Sequence, residues 1–349
     1  MAGWHDESHV AVGAMARTAG PHRCRGLGGF VAAKLLATTA GVWLLGCGSQ
    51  TGDADRARDP AGFRVATFNV HDLFDDRAPT GAAGDSSFEI QDSEQYEQHL
   101  WGVARIIELL QAQVVVLQEV EDRLALEDLA SMLDDPPPHA LLQEGNDPRG
   151  IDVAVLSWLS VVRVESHREE WFGRLDIPDG PSYRYARDCL EVHLEPGGGH
   201  VVLLAVHFKS KRDDDPDWRL AEAQHTRRLA EQLRSSDPEV EVLIAGDFND
   251  VPGSEPMDAI LGLPSACACS GPEFTSAGQS LPPEQRYTTV SWSQPGGVAL
   301  HDDLVVGPRL RPVLDAASVQ VLHDAELPEE LREVSDHAPL AADFEWPLR

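Results

Sequence analysis

VLIAGDFNDV, residues 242–251, runs five mostly apolar residues straight into Asp247, Asn249 and Asp250. The apolar half has the composition of a buried strand. Its end delivers two carboxylates and an amide, and a carboxylate left beside a core without a partner is costly. The event recurs. VATFNVHDLF (65–74) ends a strand at Asn69, VVVLQEVED (114–122) ends one at Glu119, and REVSDHAPLA (332–341) sets Asp336 and His337 before another apolar run.

Outward from these ends the chain is mostly strand. FRVATFNV (63–70), VVVLQ (114–118), IDVAVLS (151–157), VVRVES (161–166), CLEVHL (189–194), HVVLLAVHF (200–208), EVLIAG (241–246), DDLVVG (302–307), VQVLH (319–323) and APLAADF (338–344) all read so. YEQHLWGVARIIELLQ (96–111) places Leu100, Val103, Ile106, Ile107 and Leu110 at helical spacing. DRLALEDLASML (122–133) is a second helix, closed by DDPPP, and WRLAEAQHTRRLAEQLR (218–234) a third. Strands outnumber helices, and several links are too short for parallel crossovers. The expected class is α/β (α+β): two mixed, mostly antiparallel sheets packed face to face with helices outside. A doubly wound parallel sheet would need a helix after nearly every strand, and no glycine-rich phosphate loop follows a strand.

The 349 residues carry a net charge of -30. Residues 1–46 hold Arg17, Arg23, Arg25 and Lys34 against Asp6 and Glu7, which leaves all of the net negative charge on the rest. Such a surface repels nucleic-acid phosphates at long range and argues against a DNA-coating protein. RCRGLGGFVAAKLLATTAGVWLLGC (23–47) joins a basic stretch to an apolar run that ends before Cys47. It reads as an export signal, too short and interrupted for a membrane span. Its LLGC ending resembles a bacterial lipobox, which implies lipidation of Cys47. The expected organisation is a leader over 1–46, a tether over 47–62 and one domain over 63–349. That implies an exported protein held at the outer membrane or cell envelope by a lipid anchor, or otherwise periplasmic or secreted. Cys189 either bridges to Cys267 or Cys269 or stays free and buried.

In order along the body, Asn69, LQE (117–119), VHFKSK (206–211), GDFND (246–250), HDDLVV (301–306) and SDH (335–337) resemble the motifs of the endonuclease/exonuclease/phosphatase superfamily. The resemblance implies a four-layered α/β sandwich and hydrolysis of phosphate esters with Mg²⁺, or Mn²⁺ or Ca²⁺, as one or two ions. Carried over residue by residue, it makes Glu119, Asn69 and Asp336 the metal side. The family commonly has an acid two residues beyond that asparagine; here the place holds His71, with Asp72 next.

The resemblance further implies that Asp247 and Asn249 orient the attacking water and hold the phosphate. If their segment is extended, both face one side. Asp250 reads as a turn partner. His337 takes the place of the catalytic histidine and Asp302 that of the carboxylate fixing its tautomer, with Asp303 where the family has a bulky residue. His207 matches a donor to a phosphate oxygen. Lys209, Lys211 and Arg212 form a compact basic cluster suited to phosphate, or a self-neutralising loop. Arg187 resembles an arginine near the substrate. The implied partner is nucleic acid or another phosphodiester, with lipid headgroups, small phosphorylated metabolites and a catalytically silent surface module as rivals. No protein partner is evident.

Overall fold

The structure is a computed structural model that describes residues 62–77, 92–211, 215–263, 273–290 and 297–345. The leader, most of the tether with Cys47, and also Arg212, Cys267 and Cys269 lie outside the described residues. Two six-stranded sheets form the centre. The first runs β15 (Leu314–Val321), β16 (Leu340–Glu345), β1 (Gly62–Leu73), β2 (Val114–Val120), β4 (Asp152–Ser157) and β3 (His139–Leu142). The second runs β11 (Thr275–Ser276), β14 (Asp302–Val306), β10 (Glu241–Asp247), β9 (Val201–His207), β8 (Cys189–Glu195) and β5 (Ser160–Ser166). Two short ladders, β6 (Phe172–Gly173) with β7 (Ser182–Tyr183) and β12 (Thr289–Val290) with β13 (Val298–Ala299), sit in loops.

Each sheet has one parallel pair, β1 with β2 and β9 with β10; its other pairs are antiparallel. The parallel pairs require crossovers. α1 (Ser93–Leu110) supplies the first and α3 (Pro216–Ser236) the second. α2 (Arg123–Met132) and α4 (Glu255–Leu261) complete the outer layers. Both crossover helices start on aspartate caps: Asp92 accepts from the Glu94 N–H, and Asp215 from that of Trp218.

Period-two alternation builds three cores from the two sheets. Between the sheets, Val65, Val116 and Val155 of the first pack with Val192, Leu203, Ala205, Leu243 and Leu304 of the second. The intervening residues Phe68, Val115 and Leu117 turn outward onto Leu100, Val103 and Ile107 of α1. Val202, Leu204, Val242 and Ile244 turn outward onto Leu220, Leu229 and Ile260 of α3 and α4. The result is the expected helix–sheet–sheet–helix sandwich. Cys189 is free and buried beneath α3, so it makes no bridge.

Several elements differ from the sequence reading, among them the two-residue strands β6, β7, β11, β12 and β13, which no apolar run marks. β3 and the seven-residue α4 were not anticipated; α4 is too short to show a periodic face. β1 also continues three residues past Val70, through an irregular stretch.

Candidate active site

The parallel pairs bring four strand ends to one place. Cross-strand register puts Asp247 opposite His207 on β9 and opposite Asp302 on β14, so the three side chains form a row across adjacent strands. His207 Nε2 lies 3.5 Å from Asp247 Oδ2 and 3.9 Å from Glu119 Oε1. Asn69, in β1 of the other sheet, donates from Nδ2 to Asp247 Oδ2 at 3.1 Å. The site is therefore shared between the sheets. Gly246 permits the row: its φ is +148°, and a Cβ there would lie 1.8 Å from the Val206 carbonyl oxygen.

Beyond Asp247 the chain is not extended. Asn249 has a φ of 51°. Its N–H donates to Asp247 Oδ1 at 2.7 Å, and its Nδ2 donates to the Phe208 carbonyl at 3.1 Å. Asparagine tolerates this left-handed conformation, so the two residues meet through a turn rather than along one strand face. Asp250 does more than close that turn. It accepts from Arg219 Nε at 2.8 Å and pairs with Lys211 Nζ at 3.2 Å.

His337 closes the row. Its Nδ1 lies 2.6 Å from Asp302 Oδ2. Although burial opposes it, the Asp302 charge and hydrogen bond hold the imidazolium up to about 10. Its loop is fixed by Ser335, whose hydroxyl accepts from the His337 N–H and donates to the Asn69 carbonyl. Thr288 Oγ1 accepts from the Asp302 N–H at 3.1 Å. Asp303 faces elsewhere and accepts from Ser276 and the Gly278 N–H.

At the other end, the β1–β2 register jumps from Asn69↔Gln118 to Leu73↔Val120. Two extra residues on β1 are absorbed at His71 and Asp72, both with positive φ. The bulge brings the Asp72 N–H to Glu119 Oε2 at 3.0 Å and its carboxylate close to that of Glu119. Burial and then the Asp72 charge push the Glu119 carboxyl up to about 7. His71 is more than half exposed, with Nδ1 4.0 Å from Asp336 Oδ1. Arg149 NH1 lies 3.7 Å from Asp72 Oδ1.

The donor set fits a divalent cation. Burial, followed by the neighbouring Asp302 charge, raises Asp247. Asp302 Oδ1 is buried with no hydrogen-bond partner. Ligand atoms of Asp247, Asp302 and His337 all lie within 4.8 Å of one another. The unpartnered Asp302 oxygen and the crowded, buried carboxyls of Asp247 and Glu119 are what a hard cation satisfies. Asp72 and Glu119 meet beside the bulge and Asp336 lies near His71, whereas Asp247, Asp302 and His337 form a group that Asn69 reaches through Asp247.

The basic residues are more engaged than their spacing suggests. Arg187 is 2% exposed, with NH2 2.9 Å from Asp147 Oδ2 and NH1 donating to the Phe208 carbonyl. Its charge reaches the site without open contact: burial and then Arg187 push the His207 imidazole well below its ordinary value, so that it is neutral. Lys209 Nζ donates to the Ser210 carbonyl, and Lys211 is held by Asp250.

Sequence reading gave no role to Asp72, Arg149, Ser335, Thr288 or Glu222. Glu222, on α3, is fully buried and accepts from the Ala186 and Lys209 N–H groups, both at 2.7 Å. It thus ties the segment before Arg187 to the segment after His207.

A family model described as "Endonuclease/Exonuclease/phosphatase family" matches residues 64–308. No curated protein matches the chain in sequence. Among solved structures, TDP2 from Caenorhabditis elegans superposes with a TM-score of 0.53 at 18% identity, covering 82% of this chain and 75% of that one. An endonuclease/exonuclease/phosphatase from Bacteroides vulgatus gives 0.53 at 16% identity, covering 82% and 99%. The human Nocturnin catalytic domain with bound sulfate anion gives 0.51 at 16%, covering 82% and 95%. At these identities the likenesses establish the fold.

Proposed function

The chain belongs to the Endonuclease/Exonuclease/phosphatase family, and from that premise we propose that it is a divalent-metal-dependent phosphodiesterase acting on nucleic acid, with Mg²⁺ or Mn²⁺ as the ion. The observation that carries the reading is the row His207–Asp247–Asp302 completed by His337, with Glu119 and Asp72 alongside. Asp247 accepts the proton of the attacking water, its two oxygens aimed by Asn69 and Asn249. The new P–O bond forms in line as the bond to the leaving alkoxide breaks. The charged His337 donates to a phosphoryl oxygen where negative charge grows, and Asp302 keeps its ring oriented. Neutral His207 can donate to a second oxygen. A bound divalent cation would supply further charge neutralisation for the phosphate and leaving oxygen.

Lys209, Lys211 and Arg149 offer positive charge for neighbouring phosphates, which supports a polyphosphodiester over a single headgroup. The second reading, a lipid-headgroup phosphodiesterase, is supported by the lipobox-like LLGC. Under either, we carry forward export, a lipidated Cys47 and a membrane-held protein. Among the described residues, no helix is long and apolar enough to cross a membrane. Mass spectrometry of the membrane fraction tests the anchor: an unmodified terminus near Met1 or Met15 refutes it.

The deciding experiment assays plasmid DNA, RNA, bis-p-nitrophenyl phosphate, phosphoinositide and sphingomyelin with Mg²⁺, with Mn²⁺ and with chelator. Nucleic-acid cleavage that chelator abolishes supports the reading. Turnover of a lipid alone replaces it with the second, and chelator-resistant turnover removes the metal.

A further inference from the structure

Among the described residues, the cations around the catalytic row differ in what they have left to offer. Arg187 is buried, with its fork on Asp147 and the Phe208 carbonyl. Lys211 is held by Asp250, and Lys209 donates to the Ser210 carbonyl. Arg149 is different. Its Nε sits 3.3 Å from Asp147 Oδ1, while NH1 and NH2 make no hydrogen bond to any described residue. NH1 comes 3.7 Å from Asp72 Oδ1, too far for a hydrogen bond, and that oxygen accepts none. The side chain is 36% exposed, so its open edge is within reach of a ligand.

The loop before β4 holds that edge in place. Asp147 Oδ1 also accepts the Arg149 N–H at 2.9 Å, and the Asp147 carbonyl accepts the Gly150 N–H at 3.0 Å. Asn146 donates to the Arg168 and Tyr185 carbonyls, and the Gly145 N–H to Asp152. A guanidinium carried on so fixed a turn loses little freedom on binding. A chain of contacts sets its place along the row. Asp247 lies 3.5 Å from His207, His207 3.9 Å from Glu119, Glu119 3.0 Å from the Asp72 nitrogen, and Asp72 3.7 Å from Arg149. Asp247 takes the proton of the attacking water in the proposed reaction, and in-line attack drives the leaving oxygen away from that water. Arg149 therefore stands at the leaving-group end of the row.

We propose that Arg149 binds the phosphate next to the scissile one on the leaving fragment. It thereby selects polyphosphodiesters whose leaving fragment carries a phosphate of its own. Two adjacent N–H donors on a rigid plane match two oxygens of one phosphate, which a mobile ammonium cannot do. The inference rests on the phosphodiesterase reading above and adds to it the residue, and the side, on which a neighbouring phosphate is read. The rest of the molecule works against such a preference. A net charge of -30 repels an added phosphate, so any gain from one needs a specific cation to receive it.

The test gives the whole chain, with Mg²⁺, a thymidine and a uridine dinucleotide, each bare or with one extra phosphate at its 5′ or its 3′ end. The leaving fragment is the product that emerges with a free hydroxyl at the cut. An extra phosphate on that fragment should lower KM roughly 10–100-fold against the bare dinucleotide. Arg149→Ala should erase this ratio and leave unchanged any effect of a phosphate on the other fragment. Arg149→Lys, which keeps the charge but not the fork, should restore part of it. An Arg149→Ala enzyme that keeps the ratio overturns the proposal. So does one that loses affinity for bare and phosphorylated forms alike, since the ratio then stands and the role is structural. Wild-type enzyme that favours the bare dinucleotide overturns it as well. Wild-type enzyme that cuts no dinucleotide but turns over a lipid removes the nucleic-acid reading itself, and this inference with it.

Discussion

At the scale of single residues, the proposed reaction asks some groups to carry charge and others to hold the ion. His337→Ala should cut turnover of bis-p-nitrophenyl phosphate by roughly 10²–10⁴-fold while metal still binds, because its donor matters most as charge develops. Asp302→Asn should cost less, since it removes the charge that keeps His337 protonated and the partner that orients it but leaves the imidazole donor in place. Steady-state kinetics beside calorimetric metal titration separates the two effects. Glu119 gives a pH dependence of definite sign. Its carboxyl is pushed up to about 7, so below that pH a proton competes with the cation. Mg²⁺ affinity should therefore rise between about pH 6 and pH 8 and fall roughly tenfold per unit below 7, with a proton released on binding. A flat affinity across that range would remove Glu119 from the ion's ligands. Asn69, Glu119, His207, Asp247, Asp302 and His337 could be singled out in sequence because each is a polar residue just before, at the start of or at the end of an apolar run, in an order that resembles the family's motifs. Asp72 could not, because its position depends on a two-residue bulge that no periodicity announces. Arg149 sits in the loop before β4, and loop geometry leaves no repeating pattern.

At the scale of elements, α3 is where the sequence reading was thinnest. Its leucines mark one buried stripe, yet Glu222, Gln224, His225 and Arg227 are buried as well. Glu222 and Gln224 accept from loop N–H groups, His225 pairs with the Glu170 carboxylate, and Arg227 donates to the Ile260 and Leu261 carbonyls at the end of α4; a hydropathy pattern reads such residues as solvent-facing. Glu222→Gln tests this. One of the two carboxylate acceptors becomes an amide NH₂ facing a buried N–H, which should cost about 1–3 kcal/mol in urea unfolding. Turnover should fall with it, since the same carboxylate spans the segments bearing Arg187 and His207. At β10, Gly246→Ala should do more damage to activity than its size suggests, because any Cβ collides with the Val206 carbonyl and displaces Asp247. A variant with wild-type kinetics would show that the row tolerates slippage. The strands themselves were readable, since each of the apolar runs becomes one of the central strands. Their order across the sheets depends on contacts between residues far apart in the chain.

At the scale of the whole molecule, a net charge of -30 surrounds a site with few cations beside it. If nucleic acid is the substrate, contact with two or three phosphates gives a shallow salt slope, and KM should rise roughly 10–40-fold between about 50 and 200 mM salt. A loss of several further orders would mean a footprint wider than Lys209, Lys211 and Arg149 provide. The 3.1 Å bond from Asn69 to Asp247 has a wider meaning at this scale. It crosses between two sheets whose shared core is apolar, and apolar contact has no preferred direction. The bond acts as a dowel that indexes one sheet against the other. Catalytic alignment is then a readout of how the two halves sit, and turnover becomes a gauge of shear. A Leu203→Ala cavity deep in the seam, remote from every reacting atom, should slow hydrolysis before it unfolds the chain.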